Sequence, residues 1–80
     1  MHKPLSELTP GQTGTVLSIG DTGALRQRLI AMGLTPGAVV RLVKFAPLGD
    51  PMEIRIRNFE LSIRRRDAAQ IQVQTEGERV

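Results

Sequence analysis

The chain has 80 residues, 40% of them apolar, with no cysteine, tryptophan or tyrosine and a formal charge of +3. That length makes one domain, near the size where folding buries only about 60–70% of the chain's surface, and the lack of cysteine excludes a disulfide framework or a thiolate metal site. No apolar run approaches the ~20 residues of a membrane span, and the opening MHKPLSELTPG has no apolar signal core, so a soluble, unprocessed cytosolic protein is expected.

Residues 4–9, PLSELT, suit a single turn that sets Leu5 and Leu8 on one side, a lid at most, with His2 in a frayed terminus; Pro10-Gly11 breaks the turn. The run QTGTVLSI at 12–19 is rich in β-branched residues and reads as a strand, curved because both faces are partly apolar, with Gly14 a bulge or a close backbone approach. Gly20 to Gly23, GDTG, connects it to a helix, and Asp21 or Thr22 is placed to cap the first free amides. A phosphate-loop reading of GDTG fails: GxxxxGK[ST] and GxGxxG are both absent, and there is no room for the parallel sheet such loops sit on.

The stretch 24–51 organises the rest. Leu25, Leu29 and Met32 recur at i, i+4 and i+7, the spacing of a helix with one buried face, and Arg26, Gln27 and Arg28 fall mostly on the other side. Gly33 suits the left-handed conformation that ends a helix, and Leu34 follows it, placed to fold back on Leu29 or Ile30. Thr35-Pro36-Gly37 then turns the chain into a strand at 38–46, with Val40, Leu42 and Lys44 on one face and Val39, Arg41, Val43 and Phe45 on the other. Pro47-Leu48-Gly49-Asp50-Pro51 is a stiff loop with Leu48 at its tip, where the leucine either closes the end of a barrel or touches a partner.

The most determined element is the hairpin. With Arg57-Asn58 as the turn, Ile56 faces Phe59, Ile54 faces Leu61 and Met52 faces Ile63, all six on one side. On the other, Arg55 faces Glu60 and Glu53 faces Ser62. Asn58 tolerates the positive φ that tight hairpins require. Residues 64–69, RRRDAA, make a turn that Asp67 caps, 70–74 closes the sheet with Ile71 and Val73 inward, and the tail from Thr75 onward lacks an apolar pattern, which predicts a domain over 1–75 and a mobile end at 76–80. Five short strands with one helix between the first and second predict a mostly β fold, a small closed or partly closed barrel.

Catalytic chemistry is poorly represented. His2 is the only histidine, Ser6, Ser18 and Ser62 have no activating neighbour in sequence, and Asp50, Glu53, Glu60 and Asp67 are scattered. Neither an enzyme, a cofactor site nor a high-affinity metal site is expected. Charge says more: between Arg26 and Arg66 stand nine basic residues against three acidic ones. Such a basic middle suits an acidic protein face, nucleic acid or anionic headgroups, although a solvated outer face is the simpler account. Without Tyr or Trp, neither a proline-peptide groove nor base stacking has its usual material. Non-specific phosphate contacts by Arg64 to Arg66 with Arg26, Arg28, Arg41 and Arg55 keep a small basic nucleic-acid-binding barrel as the alternative to protein recognition.

The pattern LSELTPGQTGTV, LRQRLIAMGLTPG and APLGDPMEIRIRNFELSIRRRDA closely resembles the FeoA family of bacterial ferrous iron transport proteins, from Leu5 to Val73. LRxRLxxMGLxPG followed by APLGDP is a highly specific signature; Asn58 stands where the family usually has glycine. The resemblance implies an SH3-like five-stranded barrel with one short helix inserted after the first strand. It implies a cytosolic accessory or regulatory protein that binds the large membrane transporter FeoB, whose cytosolic part is a GTPase domain, and that is recruited to the inner face of the membrane without carrying the ion. Partner contact is expected at Arg26, Arg28 and Met32 of the helix and Pro47, Leu48, Gly49 and Asp50 of the loop, the motif positions least needed by the barrel. Leu25, Leu29, Gly33, Leu34 and Gly37 are expected to determine the fold. A sharper reading makes Arg26 or Arg28 a cation set against the partner's γ-phosphate. Exposed sheet edges add weak self-association to the expectations.

Overall fold

A computed structural model describes residues 2–20 and 23–75; the expected caps Asp21 and Thr22 and the tail 76–80 lie outside the described residues. Strand β1 (His2–Pro4) leads through a 3-10 turn (Leu5–Glu7) into β2 (Thr13–Ile19), helix α1 (Ala24–Ala31), β3 (Val39–Phe45), β4 (Met52–Ile56), β5 (Phe59–Ile63), a one-turn helix α2 (Arg65–Ala68) and β6 (Ile71–Gln74). The strands form a single sheet in the order β1-β6-β2-β3-β4-β5, every neighbouring pair antiparallel. The fold is mostly β with α1 between the first long strands, as expected, but with six strands instead of five.

The extra strand is β1. His2, placed by its sequence in a frayed end, pairs with Gln74, Lys3 with Val73 and Pro4 with Gln72. Nothing in HKP alternates; the pairing comes from the free side of β6, and Pro4 is tolerated because β1 is an edge. Thr75, where the apolar pattern of the sequence stops, is 1% exposed.

One core joins all the long elements: Leu5, Leu8, Val16, Leu29, Leu34, Val40, Leu42, Met52, Ile54, Ile56, Ile63, Ala68, Ile71 and Val73. Each aliphatic side chain buried there contributes roughly 1.5–3 kcal/mol relative to exposure. Leu5 and Leu8 are therefore part of the core, more than the lid their isolated turn suggests. Gly14 allows close approach: a Cβ there would stand 3.0 Å from Val73 Cβ and Cγ2, tighter than ordinary carbon contact, so Val73 would have to move. The bulge of β2 lies instead between Val16 and Ser18, where its register against β6 shifts.

A second bulge corrects the predicted faces of β3. Leu42 pairs with Ile54, but the register then shifts, so that Lys44 opposes Glu53 and Phe45 opposes Met52. One added residue reverses the side on which all later residues point; Lys44 is exposed, and Phe45 packs against the core in its place.

The end of α1 follows the expected cap. Gly33 has φ of 100°, its amide donates to the Ile30 carbonyl (2.9 Å), and Leu34 N–H donates to the Leu29 carbonyl (3.0 Å), the paired bonds of a Schellman motif with Leu29 and Leu34 both in the core. The β4–β5 hairpin has the predicted register at all five pairs, from Met52↔Ile63 to Ile56↔Phe59, and Arg55 Nη1 lies 3.0 Å from Glu60 Oε2. Two details differ. Positive φ falls on Arg57 (53°) rather than Asn58, and Phe59 remains 47% exposed, its ring edge close to the Gly33 cap, where a Cβ would stand 3.6 Å from Phe59 Cζ.

Candidate functional site

The ribbon β3–β4 ends in a loop whose shape is fixed by short bonds. Gly49 N–H donates to the Ala46 carbonyl (2.7 Å), closing a turn around Pro47 and Leu48, and Ala46 N–H donates to the Pro51 carbonyl (2.9 Å). Pro47 supplies the fixed φ of the first central turn position, and Gly49 takes φ of 90°. Leu48 is left at the tip, 96% exposed, so it does not close the end of the barrel.

What holds this loop comes from far along the chain. Arg65 N–H, the first free amide of α2, donates to Asp50 Oδ1 at 3.0 Å. A carboxylate at a helix start satisfies an orphan donor and opposes the positive end of the helix dipole. The same arginine reaches back: its Nη1 is 3.4 Å from the Gly49 carbonyl, and its guanidinium carbon lies 4.8 Å from the centre of the Phe45 ring, a cation–π distance. Phe45 can serve as this platform because the β3 bulge turned it inward.

α2 is tied to α1 as well. Arg28 Nη2 lies 3.4 Å from Asp67 Oδ2, with Arg28 62% exposed and Asp67 19% exposed. The Asp67 carboxylate therefore bonds across to α1, where the sequence suggested a local cap; the turn read at 64–69 is a helical turn whose cap is Asp50. α2 thus stands between the two stretches expected to form the contact surface, bonded to the loop at its start and to α1 two residues later. Arg64, Arg65 and Arg66 are all exposed on it.

The expected contact residues separate into groups. Pro47 and Leu48 are exposed, Gly49 and Asp50 shape and anchor the loop, and Arg28 joins α1 to this surface. Arg26 lies about 200° around the helix from Arg28 at 3.6 residues per turn, is half-buried and makes no ion pair among the described residues. Met32 ends α1 and packs against the core. Arg65 and Asp67 were missed as members of this surface. No local spacing links residue 50 to 65 or 28 to 67, so only the assembled sheet reveals them. Among the described residues no group of three or more His, Asp or Glu side chains is placed to hold a metal ion, and no described helix is long and apolar enough to cross a membrane.

The family model of the FeoA domain matches residues 3–75. A Porphyromonas gingivalis protein, the Fe(2+) transport protein A/Fe(2+) transporter FeoB fusion protein, is 39% identical over 70 residues, covering 88% of this chain; the chain spans only 8% of that relative's length. The solution structure of the Chlorobium tepidum FeoA protein is 38% identical, with a TM-score of 0.87 over 96% of this chain and 73% of the other. A crystal structure of Stenotrophomonas maltophilia FeoA complexed with zinc, described as a prokaryotic SH3 domain protein, is 28% identical, with a TM-score of 0.78 over 89% and 88%. With the signature segments, the six-stranded sheet and a match over residues 3–75 in agreement, the chain belongs to the FeoA family and has its SH3-like fold.

Proposed function

We propose that this chain is a cytosolic accessory protein of ferrous iron uptake that docks on a FeoB-type transporter through Leu48, the exposed arginines of α2 and the Arg28 side of α1. The observation that carries the reading is the P. gingivalis relative, in which a segment similar to this chain and an FeoB transporter share one polypeptide. Fusion holds two partners at an effective concentration of about millimolar or above, an arrangement suited to parts that work together. The surface fits such a role: a leucine 96% exposed at the tip of a bonded loop gains about 1.5–3 kcal/mol when a partner covers it, and the surrounding cations steer an acidic face towards it.

Binding rather than catalysis is the mode of action. The lone histidine lies on the edge strand β1, and the carboxylates that occur in pairs with arginine, Asp67 and Glu60, are engaged as ion pairs. Arg28 is likewise held by Asp67, which suits it to shaping the surface better than to reaching a γ-phosphate. Replacing Arg26 and Arg28 together by alanine is expected to leave the transporter's GTP hydrolysis unchanged.

The test is Fe²⁺ uptake in cells lacking their own copy and supplied with either the parent chain or Leu48→Glu. The variant adds a solvated charge at an exposed tip and is expected to fold normally, yet to fail to restore uptake and to lose association with the transporter. Parent-level uptake with Leu48→Glu would overturn the reading.

A further inference from the structure

The geometry points to a second binding site, for a small phosphate-bearing molecule, in the arginine-lined cleft at the end of the β3–β4 ribbon away from Leu48. The cleft is about 420 Å³ in volume and is lined by Thr13, Gly37, Ala38, Val39, Arg41, Arg55 and Arg57. Its arginines are arranged by the register. Thr13 opposes Arg41, Arg41 opposes Arg55 and Arg55 opposes Glu60, a single row across β2, β3, β4 and β5. The intervening residues Val40 and Ile56 point into the core, so this row lies on the outer face, and Arg57 lines the same cleft from the β4–β5 turn.

Like charges directly opposite on neighbouring strands destabilise a sheet, and here Arg41 and Arg55 occupy such a pair. Glu60 balances one of them, through Arg55. Arg41 and Arg57 make no ion pair among the described residues, and Arg57 sits at φ of 53°, a conformation uncommon for residues with a side chain. An anion between these guanidiniums relieves the repulsion. Its class follows from number and room. A single carboxylate offers two oxygens in one plane, which one or two arginines saturate, whereas a phosphoryl group offers three oxygens in three directions. The volume exceeds what an inorganic ion fills and falls within the roughly 300–1,000 Å³ of small-molecule sites. The body of the ligand has an apolar wall to pack on, since Val39 is 54% exposed beside Ala38 and Gly37.

The experiment is an amide-shift titration of the full chain with phenyl phosphate, compared with benzoate and inorganic phosphate, and repeated on Arg41→Gln and Arg57→Gly. Glycine suits the positive φ at 57, so the second variant removes the cation without harming the turn. Phenyl phosphate is expected to bind saturably, with shifts at Thr13, Val39, Arg41 and Arg57 and at least tenfold tighter than benzoate; each variant, unchanged in melting temperature or more stable, is expected to bind at least fivefold more weakly. Inorganic phosphate is expected to move the same amides with lower affinity. No saturable shift at millimolar phenyl phosphate, equal affinity for benzoate, or unchanged binding in both variants would overturn the site. Co-sedimentation with phosphatidylglycerol vesicles in the absence of any phenyl phosphate shift would overturn its assignment to a soluble ligand.

Discussion

The β4–β5 hairpin and the loop at 46–51 are consecutive along the chain and are held by different physics. The hairpin rests on neighbours: its register places Met52, Ile54, Ile56 and Ile63 in the core, and its one ion pair joins residues five apart. The loop rests on distant partners, Asp50 on the Arg65 amide fifteen residues on, with α2 bonded in turn to α1 by a pair spanning 39 residues. Burial in the hairpin is shared among several side chains, while the loop is tied to α2 by hydrogen bonds from Arg65 to Asp50 and Gly49. The hairpin is therefore expected to tolerate changes in the loop better than changes in its own buried residues.

Substitutions sharpen that contrast. The largest effect is expected in the hairpin: Ile54→Ala, at a fully buried position, should lower unfolding free energy in urea by about 2–5 kcal/mol, a large share of the roughly 5–15 kcal/mol available to a domain. Asp50→Ala removes the cap of α2 and should cost about 0.5–2 kcal/mol, whereas Asp50→Asn keeps an effective capping oxygen and should recover most of it. Hydrogen exchange in the alanine variant should rise at the 46–51 loop and α2 and stay unchanged in β4 and β5; equal loosening of both regions would break the distinction. Arg28→Ala removes an exposed, long ion pair and should cost about 0–1 kcal/mol, less as salt is raised. Leu48→Ala should change stability by no more than about 0.5 kcal/mol while weakening association with the transporter about tenfold, the equivalent of about 1.4 kcal/mol.

What was legible in the sequence follows the same line. Alternation and helical spacing report which side chains share a face, so the hairpin register, the α1 stripe and the Gly33 cap are readable from a few neighbouring residues. Counting fails where a strand gains a residue. Nothing in Leu42-Val43-Lys44 signals the shift that exposes Lys44 and turns Phe45 inward, and a lone Leu5 and Leu8 pair looks like a lid until β6 and α2 are in place around it. β1 is invisible for a similar reason, being held by its partner's free edge rather than by its own pattern. Among the surface residues, Leu48 was legible as an apolar side chain between two prolines with no core role. Asp50 was expected in the contact loop; its bond to the Arg65 amide was not legible, because only the folded sheet brings that residue near.

The Leu48 loop, α2 and the Arg28 side of α1 are proposed to form one preorganised docking surface. Its most direct test is hydrogen–deuterium exchange of the chain with and without the full FeoB-type transporter in lipid nanodiscs. Added protection is expected at the 46–51 loop, α2 and the middle of α1, abolished by Leu48→Glu, with β4 and β5 unaffected. Protection that leaves these segments untouched, or that survives Leu48→Glu in full, would contradict it.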